Sequence, residues 1–368
     1  MVTETTLESS SITPAAASTT QISVTGFISQ AVTSAPIAMT TVTETAAAAP
    51  SVEQVTTSSA PVISSTSTTS DTTTSTTTMP SPISTSTSAP SNAPPMLMGR
   101  YGITYSPYKA NHQCKSADEV AADFALFASQ YGAIRIYGTD CNQVYTVSQA
   151  AKAYGNQLFL GIYDVTNVET EVSLMATGLN NDWTMVNTIS VGNEYVNNGG
   201  DPDTVIAALN QARAALQTAG YAGPMVIVDT FSQVLKFPRL CDESDYCAVN
   251  CHAFFDKTSN SSHAGAYLDS VVTQLRSVIS DPHTRVVITE TGWPWKGDDN
   301  GLAVPGLAEQ AEAISLIKDL YSETPYDVFL FTAFNDMWKP SEVNTFHAEQ
   351  FWGLGGVYSP SDKGLITE

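Results

Sequence analysis

Between Gly99 and the C-terminus, short apolar and β-branched runs alternate with segments whose apolar side chains return every three or four positions. Those are the patterns of buried strands and of amphipathic helices. The run YGITYSP (101–107) leads into a helix that Ser116 and Glu119 open as an S-x-x-E capping box. Val120, Phe124 and Phe127 share one face of that helix, and Gly132 stops it. AIRIYG (133–138) precedes a helix ending near Gly155, and QLFLGIYD (157–164) and NTISVGNE (187–194) supply the next strands. Asp201 and Pro202 mark an N-cap and a first helical position, with Gly220 beyond the helix end. Strands continue as PMVIVD (224–229), YCAVNCHAFF (246–255), RVVITE (285–290) and YDVFLFTAF (326–334), with AYLDSVVTQLRSVIS and AEQAEAISLIKDLYS as helices among them. Near-continuous apolar strands joined by helices predict a parallel sheet covered on its outer face. Eight strand-then-helix units in about 270 residues predict an α/β fold, a closed (β/α)8 TIM barrel over 99–368, in preference to a doubly wound sheet.

Residues 1–98 carry no such pattern. Of these, 45 are Ser or Thr, Phe27 is the sole aromatic, and Lys and Arg are absent. A segment of this kind buries too little apolar surface to offset its ordering entropy, so it is expected to be disordered. Its Ser/Thr-plus-Pro bias is that of an O-glycosylated stalk and implies a secretory route. The opening MVTETTLESS lacks both the basic start and the apolar core of a signal peptide, and the expectation is that the leader is missing from this sequence. The part after residue 98 holds 15 basic and 31 acidic residues, which argues against nucleic acid as a partner, since binding it needs a basic face. No stretch reaches the apolar length of a membrane span. A monomer is expected.

The active site of a barrel of this kind is built at the carboxyl ends of its strands. RVVITETGWPW (285–295) places Glu290 at such an end on the seventh strand, and TISVGNEYV places Glu194 at the same address on the fourth, 96 residues earlier. Two carboxylates converging over one cavity suit glycosidic bond cleavage, where one stays protonated to serve the leaving oxygen and the other stays ionised to meet the anomeric carbon. Asn193 is placed to donate its amide to a sugar hydroxyl. Tyr105, Tyr137, Phe254, Phe255, Trp293 and Trp338 fall at or just beyond strand ends, where flat rings can stack on pyranose faces. Trp293 is the leading candidate among them.

The five cysteines include no CxxC pair and no His-rich tract accompanies them, so neither a metal site nor a cofactor is expected. Cys114 and Cys141 lie in the loops after strands one and two, on one barrel face, and are expected to form a disulfide. Cys247 and Cys251 share strand six and would stand about 13 Å apart, too far to pair. Cys241 can reach Cys247, which leaves Cys251 as a small core residue. Asn260-Ser-Ser, after strand six, is the single N-glycosylation sequon.

Taken together, VGNE (191–194) and ITETGWP (288–294) resemble the signature pair of the family 17 glycoside hydrolases, the β-1,3-glucanases of plants and fungi. GITYSPY and RIYGTDC are similar to the secreted cell-wall glucanases of fungi. The resemblance covers essentially all of 99–368. It implies a (β/α)8 barrel with Glu194 as general acid/base and Glu290 as nucleophile. The implied activity is that of a retaining endo-β-1,3-glucanase on cell-wall β-glucan, secreted to the wall. Asp336 and Lys339, in FTAFNDMWK (331–339), fall where that pattern places an acid and a lysine beside the catalytic pair. The acid is Asp where plant members have Glu, and Trp295 replaces the usual Ser, Thr or Asn after Trp-Pro. Two alternatives remain open: a β-1,3-glucanosyltransferase using the same site, and a non-catalytic glucan-binding cell-wall mannoprotein.

Overall fold

The computed structural model describes residues 99–366; the segment 1–98, expected above to be a stalk, lies outside the described residues. Eight parallel strands close into a barrel in sequence order: β1 (Gly102–Thr104), β2 (Ala133–Arg135), β3 (Gln157–Ile162), β4 (Val186–Asn193), β5 (Met225–Thr230), β6 (Cys247–Asn250), β7 (Val286–Thr291) and β8 (Val328–Leu330). The helices are α1 (Ala117–Phe127), α2 (Gln143–Tyr154), α3 (Val168–Gly178), α4 (Pro202–Thr218), α5 (Phe231–Lys236), α6 (Arg239–Asp242), α7 (Ala264–Val278) and α8 (Leu307–Leu320).

Local chemistry sets the helix starts. The Ser116–Glu119 capping box forms in both directions at α1, and Asp201 accepts from the Thr204 backbone ahead of Pro202 at α4. Alternation along each strand then divides the core in two. On β5, Val226 and Val228 join Phe159, Tyr246, Ala248, Val287 and Phe329 in a compact inner cluster, whereas Met225 and Ile227 pack with Leu209 and Leu216 of α4. Successive strand residues thus fill the barrel and meet the helix layer in turn.

Two features differ from the sequence expectation. The ladders of β1, β6 and β8 are shorter than their apolar runs, because residues such as Tyr105, Phe254 and Phe334 continue the run beyond the last paired position to fill the space beneath the loops. Among the described residues, β8 has no α-helix after it. The chain from 340 onward lacks helical periodicity and contains Gly353, Gly355, Gly356 and Pro360, and it forms short 3-10 turns instead. Side chains pin this tail to the barrel: Asp362 accepts from the Ala110 backbone at 2.8 Å and Ser359 donates to buried Asp123 at 2.7 Å. Cys114–Cys141 and Cys241–Cys247 are disulfides, and Cys251 is a free, buried thiol.

Candidate active site

At the carboxyl ends of the strands lies a cleft of about 860 Å³, and both Glu194 and Glu290 line it. Glu290 is the fifth residue of β7 and is almost wholly buried. A carboxylate in that position requires compensation, and the opposite wall provides it. Arg135, on β2, is fully buried and crosses the barrel interior, its guanidinium 4.7 Å from the Tyr137 ring centroid. Its Nη1 donates to Glu290 Oε1 at 2.9 Å and to the Thr289 carbonyl at 2.9 Å, and its Nη2 donates to Asn193 Oδ1 at 2.7 Å. The other carboxylate oxygen of Glu290, Oε2, is 3.4 Å from His252 Nε2.

Glu194 follows β4 directly, and the backbone must bend to aim it. Gly192 holds φ +74° at a bulge where the pairing with β5 skips a residue between Val191 and Asn193. Glycine adopts that conformation without penalty. Glu194 itself sits at φ +53°, an uncommon conformation for a residue with a side chain. Its Oε1 accepts from Asn250 Nδ2 at 3.0 Å. Asn250, the last residue of β6, faces Arg135 Nη1 at 3.2 Å through its own carbonyl oxygen. A continuous chain of polar contacts, Glu194–Asn250–Arg135–Glu290, therefore joins the two carboxylates across the cleft floor.

Their environments are opposite in electrostatic effect. Burial raises the affinity of Glu194 for its proton, the negative charge of Glu290 adds to this, and the Asn250 hydrogen bond only partly offsets it; the net direction is upward. Burial also acts upward on Glu290, but the His252 hydrogen bond and the charges of Arg135, His252 and Lys339 outweigh it, and the net direction is downward. One carboxyl is thus biased toward holding a proton and the other toward losing it.

The remaining expected residues divide between cleft and core. Asn193, Tyr137, Phe255, Trp338 and Lys339 line the cleft. Lys339 Nζ lies 3.3 Å from Asp336 Oδ2 and 3.5 Å from Glu349 Oε2, so Asp336 acts on the cleft through the lysine. Trp293, Tyr105 and Phe254 are corrections. Trp293 is fully buried, donates its indole N–H to the Val304 carbonyl and packs edge-on against Phe254. Tyr105 is buried with its hydroxyl on Asp123 at 2.7 Å. A strand-end aromatic next to a functional residue turns inward when the loop above covers it, and sequence position alone does not reveal that cover. Trp295 also lies off the cleft, bonded to Asn335. Asn260 opens the turn after β6, its side-chain oxygen accepting from Ser262.

Arg135, Asn250, His252 and Trp352 went unselected in the sequence. For the first three a signal existed: each is a polar or ionisable residue within or at the end of an apolar strand run. Trp352 stands in the tail after β8, 4.9 Å from the His252 ring, and no pattern in the sequence places it there.

Residues 102–353 match the family model described as the BtgE/BtgC glycoside hydrolase domain. The chain belongs to that family. Relatives of this glycoside hydrolase domain include "Probable family 17 glucosidase SCW4" of Saccharomyces cerevisiae, 44% identical over 259 residues, 70% of this chain and 65% of that protein. "Cell surface mannoprotein MP65" of Candida albicans is 42% identical over 259 residues, 70% of this chain and 66% of that protein. The match thus spans about two thirds of the length of these relatives. Among solved structures, the "glycoside hydrolase family 17 beta-1,3-glucanosyltransferase from Rhizomucor miehei" superposes with a TM-score of 0.59 at 22% identity, over 72% of this chain and 97% of that one. That likeness supports the barrel fold of the glycoside hydrolase domain. Among the described residues, no helix is long and apolar enough to cross a membrane.

Proposed function

We propose that this domain is a retaining β-1,3-glucan hydrolase of the fungal cell wall, with Glu290 as nucleophile and Glu194 as general acid/base. The observation that carries the reading is the Glu194–Asn250–Arg135–Glu290 chain, whose two ends have proton affinities driven apart. In the first step a carboxylate oxygen of Glu290 attacks the anomeric carbon as the bond from that carbon to the glycosidic oxygen breaks, and the Glu194 proton passes to the glycosidic oxygen, which departs as a hydroxyl of the leaving sugar. Glu194, now ionised, takes a proton from water. The water oxygen bonds to the same carbon, and Glu290 departs as carboxylate. Arg135 holds Glu290 ionised for the attack, and the tyrosine and tryptophan rings of the cleft suit pyranose faces.

Release of reducing sugar from soluble β-1,3-glucan tests the activity. For the roles, Glu290→Gln is expected to abolish turnover, and Glu194→Gln to spare aryl glycosides with good leaving groups, which need little proton donation. Azide rescue of the Glu290 variant with unchanged product configuration would reverse the assignment.

Exposed Tyr163 and Phe255 at the cleft lining favour a second reading, glucanosyl transfer from the same site, because they can hold an acceptor chain against the glycosyl-enzyme. Trp293 and Trp295 do not serve that role from their positions off the cleft. Chromatography of a defined β-1,3-oligosaccharide at rising concentration separates the readings: longer products in dilute substrate make transfer primary, and shorter ones at every concentration exclude it. The non-catalytic mannoprotein reading predicts glucan binding with no product of either kind.

A further inference from the structure

The conformation of Glu194 needs an anchor, because a side-chain-bearing residue at φ +53° relaxes to the right-handed or extended region unless its neighbours prevent it. Part of the anchor is local: the Glu194 N–H donates to the Val228 carbonyl at 3.0 Å, and the Glu194 carbonyl accepts from Asn198 N at 2.9 Å. The rest comes from Asp229, at the end of β5 and fully buried. One of its oxygens accepts the Val196 N–H at 2.7 Å. The other accepts the Asn197 N–H at 3.2 Å and its own neighbour Thr230 N–H at 2.9 Å. Among the described residues no salt bridge involves Asp229; its hydrogen-bond donors there are backbone amides, two of them in the turn that leaves Glu194.

We infer that Asp229 is a positioning residue for Glu194, clamping the turn at Val196 and Asn197 so that the carboxyl stays aimed into the cleft. The inference rests on the proposed role of Glu194 as proton donor. A two-oxygen acceptor without donors is required, since an amide at this site would present N–H groups to an N–H. The clamp has an electrostatic consequence as well. The ionisable groups bearing on Glu194 are Glu290 from β7, His252 from beyond β6 and Asp229 from β5. The charges of Glu290 and Asp229 act to keep the Glu194 proton on, and that of His252 acts to remove it.

The test is Asp229→Asn, assayed with two aryl β-1,3-glucobiosides, one with a dinitrophenyl and one with an unactivated phenyl leaving group. A general acid contributes roughly 10²–10⁴-fold where the leaving group needs its proton. The expected result is therefore a loss of about 10–100-fold in kcat/KM for the phenyl substrate and under about threefold for the dinitrophenyl one. The basic limb of the phenyl pH profile is also expected to move to lower pH, because a charge that retains the proton has gone. Equal losses on both substrates, or no loss on either, would overturn the inference. Should Asp229→Asn not fold, Asp229→Glu, which keeps the charge and both oxygens on a longer stem, carries the same test: a loss confined to the phenyl substrate supports the clamp, and equal losses overturn it. Failure of the wild-type protein to cleave either substrate would instead remove the proposed function, which makes the two failures distinguishable.

Discussion

Arg135 is the residue on which the electrostatics of the cleft floor depend, and Arg135→Met makes that dependence measurable. Methionine occupies much of the arginine stem's volume but leaves Glu290 buried beside His252 alone on Oε2, with no partner on Oε1. Removing one member of a buried ion pair costs about 3–5 kcal/mol, mostly as the penalty of the charge left behind. At about 2–4 °C per kcal/mol for a domain of this size, the melting temperature is expected to fall by roughly 6–20 °C at neutral pH. The sign of the pH dependence follows from the same cause. Without the cation, burial dominates and the Glu290 proton affinity in the folded state rises. The ionised form then destabilises the fold at neutral pH, and the deficit shrinks as pH falls and the carboxyl takes up its proton. Neutralising the orphan should have the same effect as acid, so Arg135→Met/Glu290→Gln is expected to be more stable than the sum of the single changes. Equilibrium denaturation of the four proteins at neutral and acidic pH closes the cycle. Additivity to within about 0.5 kcal/mol would refute the reasoning, because it would mean that Glu290 is not held by Arg135 at all.

Two further expectations follow. Activity against β-1,3-glucan should be bell-shaped in pH, with the acidic limb set by Glu290, whose proton affinity is lowered, and the basic limb by Glu194, whose affinity is raised. Arg135→Lys is expected to move the acidic limb upward, and a profile unmoved by that change would count against the assignment of that limb. Replacing Cys114 with Ser removes a disulfide that spans 27 residues between the loops after β1 and β2. The expected loss is about 3.5 kcal/mol on the chain-entropy argument. A melting temperature unchanged under non-reducing conditions would show that the cross-link contributes nothing.

Much of this molecule was legible before any coordinate. The alternation of apolar strand runs with helical patterns pointed to a parallel sheet covered by helices, and eight such units in about 270 residues favoured the closed barrel over an open doubly wound sheet; the pairing of β1 with β8 closes it. The placement of Glu194 and Glu290 followed from the rule that strand ends face the site. The Ser116–Glu119 box and the Asp201 cap were equally local, since each satisfies backbone groups within four residues. What sequence could not decide was direction at longer range. Whether Trp293 faced the cleft or the core depended on Phe254 and the Val304 carbonyl, and whether Tyr105 did so depended on Asp123, partners supplied by other loops and helices. The chain from Glu194 through Asn250 and Arg135 to Glu290 joins β4, β6, β2 and β7, four segments spread over more than 150 positions. Hydrogen bonds between residues so far apart leave no periodic trace in a sequence; they exist only once the barrel has closed and brought the strand ends within about 3 Å of one another's side chains.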